Sequence, residues 1–253
     1  MDSHNTGQLR EAVLALHMNL KSVNPLYFTD DLPEVEGGFQ ENEVPVYYGS
    51  TTLRDKMVAA GMPGFFFDHY RFSFMALRTG YGEDLLNYHS RVLTVGEFLG
   101  GSGNQNEDLF IRPADDSKTI IGGVKTRSEW SESIAISMNN TRGPTLETSI
   151  QIGEPYTLNY EWRLFIVGGR VVAASQYRAH GHLNTQPEVP EKVVEFGNRM
   201  AERYSPAEVF VMDICETGNR LYVLETNCFN CSGLYKASAV DIVSAVSGYL
   251  KGL

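Results

Sequence analysis

The C-terminal third of the sequence carries two carboxylates and an amide with the spacing of metal ligands. The segment VFVMDICETGNRLYVLETN predicts a β-hairpin, with Asp213 on its first strand and Glu225 and Asn227 on its second. Residues two apart on a strand point to the same face, so Glu225 and Asn227 project together. If the hairpin centres on Asn219, Asp213 lies directly opposite Glu225.

Two carboxylates that face each other across a hairpin repel unless a cation lies between them. Oxygen ligands without sulfur or imidazole suit Mg²⁺, which keeps waters and phosphate oxygens in its remaining positions. A solvated acidic hairpin face is the alternative that the residues alone leave open. The metal hypothesis requires an odd number of loop residues, such as 218–220 or 217–221, because an even number sends Asp213 to the opposite face.

Basic residues lie upstream of this hairpin, one at a predicted strand end and two in or after the loop that follows. Arg112 ends the strand-like run FIRP, and its permanently charged guanidinium is a multidentate phosphate donor, although a surface arginine at a strand end is the alternative. Lys118 lies in the following loop, ADDSKTIIGG. Lys125 is a competing lysine, and it can also be interpreted as an exposed residue on a strand edge.

A second predicted strand, YEWRLF, places Glu161 and Arg163 on one face and Trp162 and Leu164 on the other. The two charged residues could simply form a surface ion pair, which contributes little to stability.

The elements that must position these residues differ between the two parts of the chain. Before residue 100, the pattern predicts a helix over Leu9 to Leu20, a strand over Val44 to Gly49, and a helix capped by Ser50 or Thr51 that stops at Gly61. Residues 100–108 form a polar, glycine-rich loop. We place a boundary there, between an N-terminal α/β portion, residues 1–100, and a second portion, residues 101–253.

The second portion is dominated by strands. Its β-like runs are DLFIRP, KTIIGGV, TLETSIQI, YEWRLFIVGGRVVAASQYR, AEVFVMDI and RLYVLETN. Within them IVGGRVV predicts a tight hairpin, because a glycine pair supplies positive φ angles. Helices are predicted at about residues 190–204 and 237–250.

Composition excludes several classes of protein. The 253 residues carry a net charge of −10, which argues against a generic basic nucleic-acid binder. The sequence contains no apolar run of the length that a membrane helix needs, and its first residues lack the pattern of a signal peptide, so we expect a cytoplasmic protein. Three cysteines do not make a disulfide scaffold, and Cys228 and Cys231 lack the second pair that zinc would need.

The ordered set of FIRP, a loop with a lysine, EWRLFIVGGRVV, MDI and VLETN resembles the ATP-grasp superfamily. It is most similar to a bacterial and phage clade in which an arginine replaces the usual nucleotide-binding lysine. The resemblance spans about residues 43–250. It implies an α/β (α+β) ATP-grasp fold, in which an N-terminal α/β portion is followed by two β-rich subdomains that enclose a nucleotide cleft.

The resemblance also implies a role for each candidate residue. Asp213, Glu225 and Asn227 correspond to the Mg²⁺ ligands, and Arg163 lies near the transferred phosphate and the acyl oxygen. Arg112 corresponds to a contact on the α-phosphate and adenine side of ATP. A flap over the phosphates is implied as well, with Lys118 in the flap or Lys125 after it as the phosphate contact. The remaining implied nucleotide contacts are Glu147, at the ribose, and Glu161.

The implied activity is that of an ATP-dependent, ADP-forming carboxylate–amine ligase. Such an enzyme activates a carboxylate as an acyl phosphate, which an amine then attacks. Its substrates would be amino acids, peptides or proteins, while attachment to a modified nucleic acid stays open and a membrane partner is not expected. The alternative is an ATP-binding regulatory or phage accessory module without ligase activity, although such a module would not need three metal ligands.

Overall fold

The protein folds into two antiparallel sheets with helices around them. The computed structural model describes residues 3–23, 31, 35, 38, 43–141 and 143–252. The strands are β1 Arg91–Thr94, β2 Asp108–Pro113, β3 Gly123–Thr126, β4 Ser149–Gly153, β5 Tyr160–Val167, β6 Arg170–Ala179, β7 His182–Gln186, β8 Val209–Thr217 and β9 Arg220–Cys228. The helices are α1 Ser3–Ala15, α2 Thr51–Ala59, α3 Phe74–Tyr81, α4 Val95–Gly100, α5 Arg127–Ser137, α6 Glu191–Arg203 and α7 Ala239–Lys251.

The first sheet has four strands in the order β1-β4-β2-β3, and the second has five in the order β7-β6-β5-β8-β9. This combination of helices with two antiparallel sheets confirms the predicted fold class. Strand β1 precedes the glycine-rich loop and yet pairs with β4, so the four-stranded sheet takes strands from both sides of residues 100–108. The boundary at residue 100 therefore stays a prediction.

Apolar side chains cover both faces of β8, an interior strand of the five-stranded sheet. Phe210, Met212 and Ile214 pack into one core with Trp162 and with residues of α6. The alternate residues of β8 face a second core beneath α7, in agreement with the two-residue period of a strand. Because β8 lies between β5 and β9 and is buried on both sides, it is a rigid base for the polar residues at one end of the sheet.

The predicted pairing of Asp213 with Glu225 is confirmed, but the predicted loop length is wrong. The β8–β9 turn contains two residues, Gly218 and Asn219, because Thr217 pairs with Arg220. From there the register runs unbroken to Ile214 opposite Val223 and then shifts, so Leu224 is an extra residue on β9. This bulge returns Glu225 to the face of Asp213. Without it, only a loop with an odd number of residues would have placed the two side chains on the same face.

The other predicted hairpin also forms. Gly168 and Gly169 connect β5 to β6 with φ angles of 56° and 77°, the left-handed region that favours glycine. Helices α6 and α7 begin and end within about two residues of their predicted bounds.

The predicted strand over Val44 to Gly49 is wrong. Its backbone hydrogen-bonds to loops instead, from Tyr47 N to Gly64 O at 3.2 Å and from Gly49 N to Asn230 O at 2.7 Å. Helix α2 follows as predicted, with the Ser50 side chain as its cap. The first helix, however, begins at Ser3 and ends at Ala15 rather than at Leu20.

Among the elements that the sequence analysis does not predict are α3, α5 and β7. Helix α5 carries a signal that the sequence analysis missed: Thr126 and Glu129 form a capping box, in which each side chain bonds the backbone N–H of the other residue. The run KTIIGGV becomes a strand only from Gly123, and residues 114–122 form a loop. No helix in the described ranges is long and apolar enough to cross a bilayer.

Candidate active site

Most of the polar residues predicted from the sequence meet where the two sheets face each other. Arg112, at the end of β2 in the four-stranded sheet, forms an ion pair with Glu225 on β9 of the five-stranded sheet. Both side chains are mostly shielded from solvent. The two sheets are thus joined by a direct contact between a predicted phosphate-binding group and a predicted metal ligand.

Arg163 and Asp213 occupy paired positions on the neighbouring strands β5 and β8. The guanidinium holds the carboxylate with two hydrogen bonds, from Nε to Oδ1 at 2.8 Å and from Nη2 to Oδ2 at 2.7 Å. Nη1 donates to Gly233 O at 3.3 Å, and the guanidinium lies 5.1 Å from the ring centre of Tyr235. Arg163 is therefore fixed by three separate residues, and the predicted alternative of a surface pair with Glu161 does not form.

Asn227 connects the acidic residues to the lysine of the loop. Its Nδ2 donates to Glu225 Oε1 at 2.9 Å and lies 3.4 Å from Asp213 Oδ2, while its Oδ1 accepts from Lys118 Nζ at 3.0 Å. An amide nitrogen thus lies between two carboxylates, where a cation would be favoured. Rotating the amide by half a turn would present its oxygen together with the two carboxylates, and that donor set suits Mg²⁺.

The two carboxylates of the site experience opposite shifts in pKa. Burial raises the pKa of Asp213, and the charge of Arg163 only partly offsets this. Burial would likewise raise the pKa of Glu225, but the positive charges of Arg112 and Lys118 lower it well below the ordinary value. Glu225 is therefore the more firmly ionised of the two, as a ligand for a cation should be.

Lys118 is the lysine that joins the cluster. Its ammonium lies 2.6 Å from Asp116 Oδ1, and its backbone has a φ of 57°, which is unusual for a residue other than glycine. Burial would lower the pKa of this ammonium, but the charges of Asp116 and Glu225 raise it, so Lys118 stays charged. The side chain is 47% exposed and can reach a ligand without rearrangement of a core.

Lys125 is not brought to the cluster. It pairs with Leu109 on β2, three residues from Arg112, and alternation along that strand places it on the opposite face of the sheet. Its ammonium bonds Ser133 Oγ at 2.8 Å and lies over the ring of Trp130 on α5. Of the two competing lysines, only Lys118 faces the acidic residues.

Glu161 and Glu147, the other two predicted nucleotide contacts, differ in their exposure to solvent. Glu161 is buried on β5, where it accepts a hydrogen bond from Tyr177 Oη at 2.7 Å and pairs with Arg178 at 3.7 Å. Glu147 is exposed in the turn before β4. A crevice between the sheets, beside Arg112, is lined by Leu77, Asn87, Gln151 and Leu224 among others, and Glu147 is not part of this lining.

Sequence reasoning missed two buried residues at the edge of the cluster. Asp116 contacts Lys118, and Arg54 of α2 contacts Asp116. The position of Asp116 two residues before Lys118 was an available signal, whereas nothing in the sequence of α2 pointed to Arg54.

The described cysteines and histidines form no metal centre. Cys215, Cys228 and Cys231 are free thiols, with Cys228 buried at the end of β9. His180 and His182 flank the turn into β7. Within the described residues, no three side chains of His, Cys, Asp or Glu converge to hold a metal.

Solved structures share this architecture at low sequence identity. A RimK domain ATP-grasp protein from Sphaerobacter thermophilus DSM 20745 aligns with a TM-score of 0.59 and 15% identity over 97% of this chain and 94% of that chain. The ATP-grasp ligase PsnB, complexed with its precursor peptide PsnA2 and AMPPNP, aligns with a TM-score of 0.55 and 13% identity over 99% and 96% of the two chains.

A second PsnB structure, with a phosphomimetic variant of the minimal precursor, Mg and ADP, aligns with a TM-score of 0.54 and 13% identity over 98% and 96% of the chains.

No curated protein matches the sequence. A family model of the ATP-grasp domain, clade family 3, does match over residues 79–246, and this span contains all nine predicted site residues. The chain therefore belongs to this ATP-grasp domain family.

Proposed function

We propose that this protein is an ATP-dependent carboxylate–amine ligase that forms ADP. One observation carries the proposal: Arg112, at the end of β2, touches Glu225, and Lys118, in the loop after β2, touches Asn227. The residues proposed to bind phosphate thus face the residues proposed to bind a metal, across the boundary between the two sheets. Mg²⁺-ATP is a ligand that satisfies both sets at once.

Each half of the site acts as the counter-ion of the other in this structure. Nucleotide binding would replace these contacts, because the phosphates would take up Arg112 and Lys118 and leave Glu225 and Asn227 for a cation. Arg112 would occupy the place of the superfamily's usual nucleotide-binding lysine. Its planar guanidinium can contact two phosphate oxygens, whereas an ammonium acts as a point charge.

Asp213, Glu225 and Asn227 would hold Mg²⁺ through three oxygen atoms. When bound there, the ion neutralises charge on the phosphates and holds the γ-phosphate in position for transfer. Asp213 keeps its orientation through both bonds to Arg163, and the pKa shift of Glu225 keeps that carboxylate ionised. These residues also fit a hard cation because none offers sulfur or imidazole.

Arg163 is placed to stabilise charge that develops during the reaction. Transfer of the γ-phosphoryl group to the acid substrate breaks the bond between that group and ADP and forms an acyl phosphate. The amine then attacks the acyl carbon, and phosphate leaves. A guanidinium fixed by Asp213, Gly233 and Tyr235 presents its charge without reorganisation, which is the arrangement that favours a transition state over a ground state.

The acid and the amine belong to the amino acids, peptides or proteins in this proposal. The PsnB complex that holds a precursor peptide together with AMPPNP supports a peptide as one partner, although at 13% identity it supports this only by analogy. The formal charge of −10 disfavours a nucleic-acid substrate. The cytoplasm, where ATP is available, is the proposed location.

The proposal is tested by incubating the full chain with Mg²⁺, ATP and pools of amino acids and peptides while ADP, AMP and phosphate are measured. ADP and phosphate release that requires both an acid and an amine supports the ligase. AMP formation means adenylation and contradicts the proposal. Binding of Mg²⁺-ATP without ADP formation in any pool instead favours a regulatory or phage accessory module.

A further inference from the structure

We infer that Arg54 is a positioning residue for nucleotide binding, acting through Asp116 on Lys118. The inference rests on the proposed function, because it assigns Lys118 to the phosphates of ATP. Arg54 lies on α2, outside residues 79–246 that the family model matches. It is brought to the site only by the tertiary structure.

Arg54 is among the most deeply buried charged residues described. Its side chain is 1% exposed, and its Nη1 lies 2.5 Å from Asp116 Oδ2. Nη2 also donates to the backbone oxygen of Asp116 at 3.4 Å, and the guanidinium lies over the ring of Phe67 at 3.9 Å. Cys231 Sγ, at 3.9 Å, and the neighbouring Asp55 complete its polar surroundings.

A buried ion pair of this kind is not needed for packing. Apolar residues of similar volume would often stabilise a core as well or better, because the charges must give up their hydration. What the pair does is hold both the side chain and the backbone of Asp116 in one place. That is a constraint on the loop of residues 114–122, which otherwise lies at the edge of the four-stranded sheet.

Asp116, held by Arg54, in turn restrains the side chain of Lys118. One carboxylate oxygen faces Arg54, and the other lies 2.6 Å from the ammonium of Lys118, whose backbone is held in the left-handed region. The same ammonium donates to Asn227. The order of contacts therefore runs from a buried, fixed cation through a buried anion to a half-exposed cation beside the metal ligands.

Arg54 also neutralises Asp116. Without it, a carboxylate would lie beside the lysine that is to bind phosphate, and it would repel the polyanion. Loss of Arg54 should therefore weaken nucleotide binding in two ways, by releasing the loop and by leaving an unpaired negative charge. Both effects require Asp116, and the first also requires Lys118.

The test measures the dissociation constant of Mg²⁺-ATP by calorimetry on the full chain. Arg54→Gln should raise it about tenfold or more, and Arg54→Lys, which keeps the charge but loses the planar fork, should raise it less. Adding Asp116→Asn to Arg54→Gln should recover only the part of the loss that comes from the unpaired charge, because the loop stays released. In a Lys118→Met background, Arg54→Gln should cost markedly less than it does in the parent, because the two residues act in series.

Met57→Ala is the matched control, since Met57 is buried on the same helix but packs into a separate apolar cluster with Tyr47 and Leu53. It should lower the melting temperature, because it leaves a cavity, and keep the dissociation constant within about twofold of the parent value. An equal loss of affinity in Met57→Ala and Arg54→Gln, or additive losses of Arg54→Gln and Lys118→Met, overturns the inference.

If Arg54→Gln does not fold, Arg54→Lys and Asp116→Asn are used in the same cycle with Lys118→Met, and additive losses there overturn the inference equally. Failure of the parent protein to bind Mg²⁺-ATP refutes the proposed function itself. A parent that binds, with Arg54 variants that bind equally well, refutes the positioning role alone.

Discussion

The two sheets contribute functional side chains of different character. On the five-stranded sheet, Asp213 is 1% exposed and Arg163 is 11% exposed, and two hydrogen bonds join their side chains. On the four-stranded side, Lys118 is 47% exposed and projects from a loop. Arg112, at a strand end, contacts Glu225 of the other sheet.

This difference teaches which contacts a ligand can replace. The Arg163–Asp213 pair lies within one sheet, and separating it would leave a charge buried without a partner. The contacts from Arg112 and Lys118 cross from one side of the site to the other. A bound phosphate could take the place of Glu225 and Asn227 as the partner of these two cations. A bound metal ion could take the place of the cations beside Glu225 and Asn227. The five-stranded half is therefore preorganised, whereas the contacts of the four-stranded half are ones that a ligand could replace.

The largest effect should follow from breaking the pair inside the five-stranded sheet. Arg163→Ala leaves Asp213 buried and unpaired, so the free energy of unfolding should fall by about 3–5 kcal/mol, as measured in urea. Arg170→Ala, which removes an exposed partner of Glu202, is the control and should change it by no more than about 0.5 kcal/mol. Similar losses in the two variants would show that the pair is not preorganised.

Removing a proposed metal ligand should have the next largest effect. Glu225→Gln keeps the shape of the side chain but removes its charge, so the Mg²⁺ concentration for half-maximal ADP formation should rise roughly 10²-fold, comparable with the larger losses seen when support for a metal ligand is removed. Glu216→Gln, on the same hairpin and paired with Lys192, is the control and should leave it unchanged. An unchanged Mg²⁺ requirement in Glu225→Gln would remove that residue from the metal site.

Arg112 tests the replaceable half of the comparison. Arg112→Ala should lower ATP affinity by about 1.5–3 kcal/mol, the range for hydrogen bonds to charged groups, and abolish most of the thermal stabilisation by Mg²⁺-ATP. Lys125→Ala, on the opposite face of the same sheet, should keep that stabilisation. The reverse result, with Lys125 required and Arg112 dispensable, would reverse the assignment of the two residues.

The smallest effect concerns the pH dependence of the four-stranded half. Hydrogen bonds from the Thr126 backbone and hydroxyl lower the pKa of Glu129, at the start of α5, below its ordinary value of 4.5. A lowered folded-state pKa stabilises the protein above the ordinary value, and that stabilisation is lost as the pH falls through the folded-state pKa. Hydrogen exchange in α5 should therefore accelerate as the pH falls below about 4.5, relative to the intrinsic rates.

Glu129→Gln should flatten this dependence, because the amide does not titrate. Glu132→Gln, on an exposed position of the same helix, should leave it intact. Equal flattening in both variants would attribute the effect to the net charge of α5 rather than to its cap.

Sequence reasoning was most successful where local patterns coincide with the tertiary structure. The runs of β5, β6, β8 and β9 are long and apolar, and their turns contain glycines, so both hairpins were predictable. It failed over Val44 to Gly49, where a short apolar run is bound by loops rather than by a neighbouring strand. Short runs carry too little periodicity to distinguish these outcomes.

The sequence by itself determined the residue types of the site and their order along the chain: an arginine at the end of a strand, a lysine in the following loop, an arginine within a strand, and two carboxylates with an amide on a hairpin. Only the tertiary structure decided three further points. It selected Lys118 over Lys125 by the face that each presents, and it restored the register of Glu225 through the bulge at Leu224.

It also brought Arg54 to Asp116 across 62 positions of sequence. The physical reason is the same in each case. Side-chain type and local spacing fix what a residue can bind, but faces, bulges and contacts between distant segments depend on how whole elements pack, and that packing minimises the free energy of the entire chain rather than of any one segment.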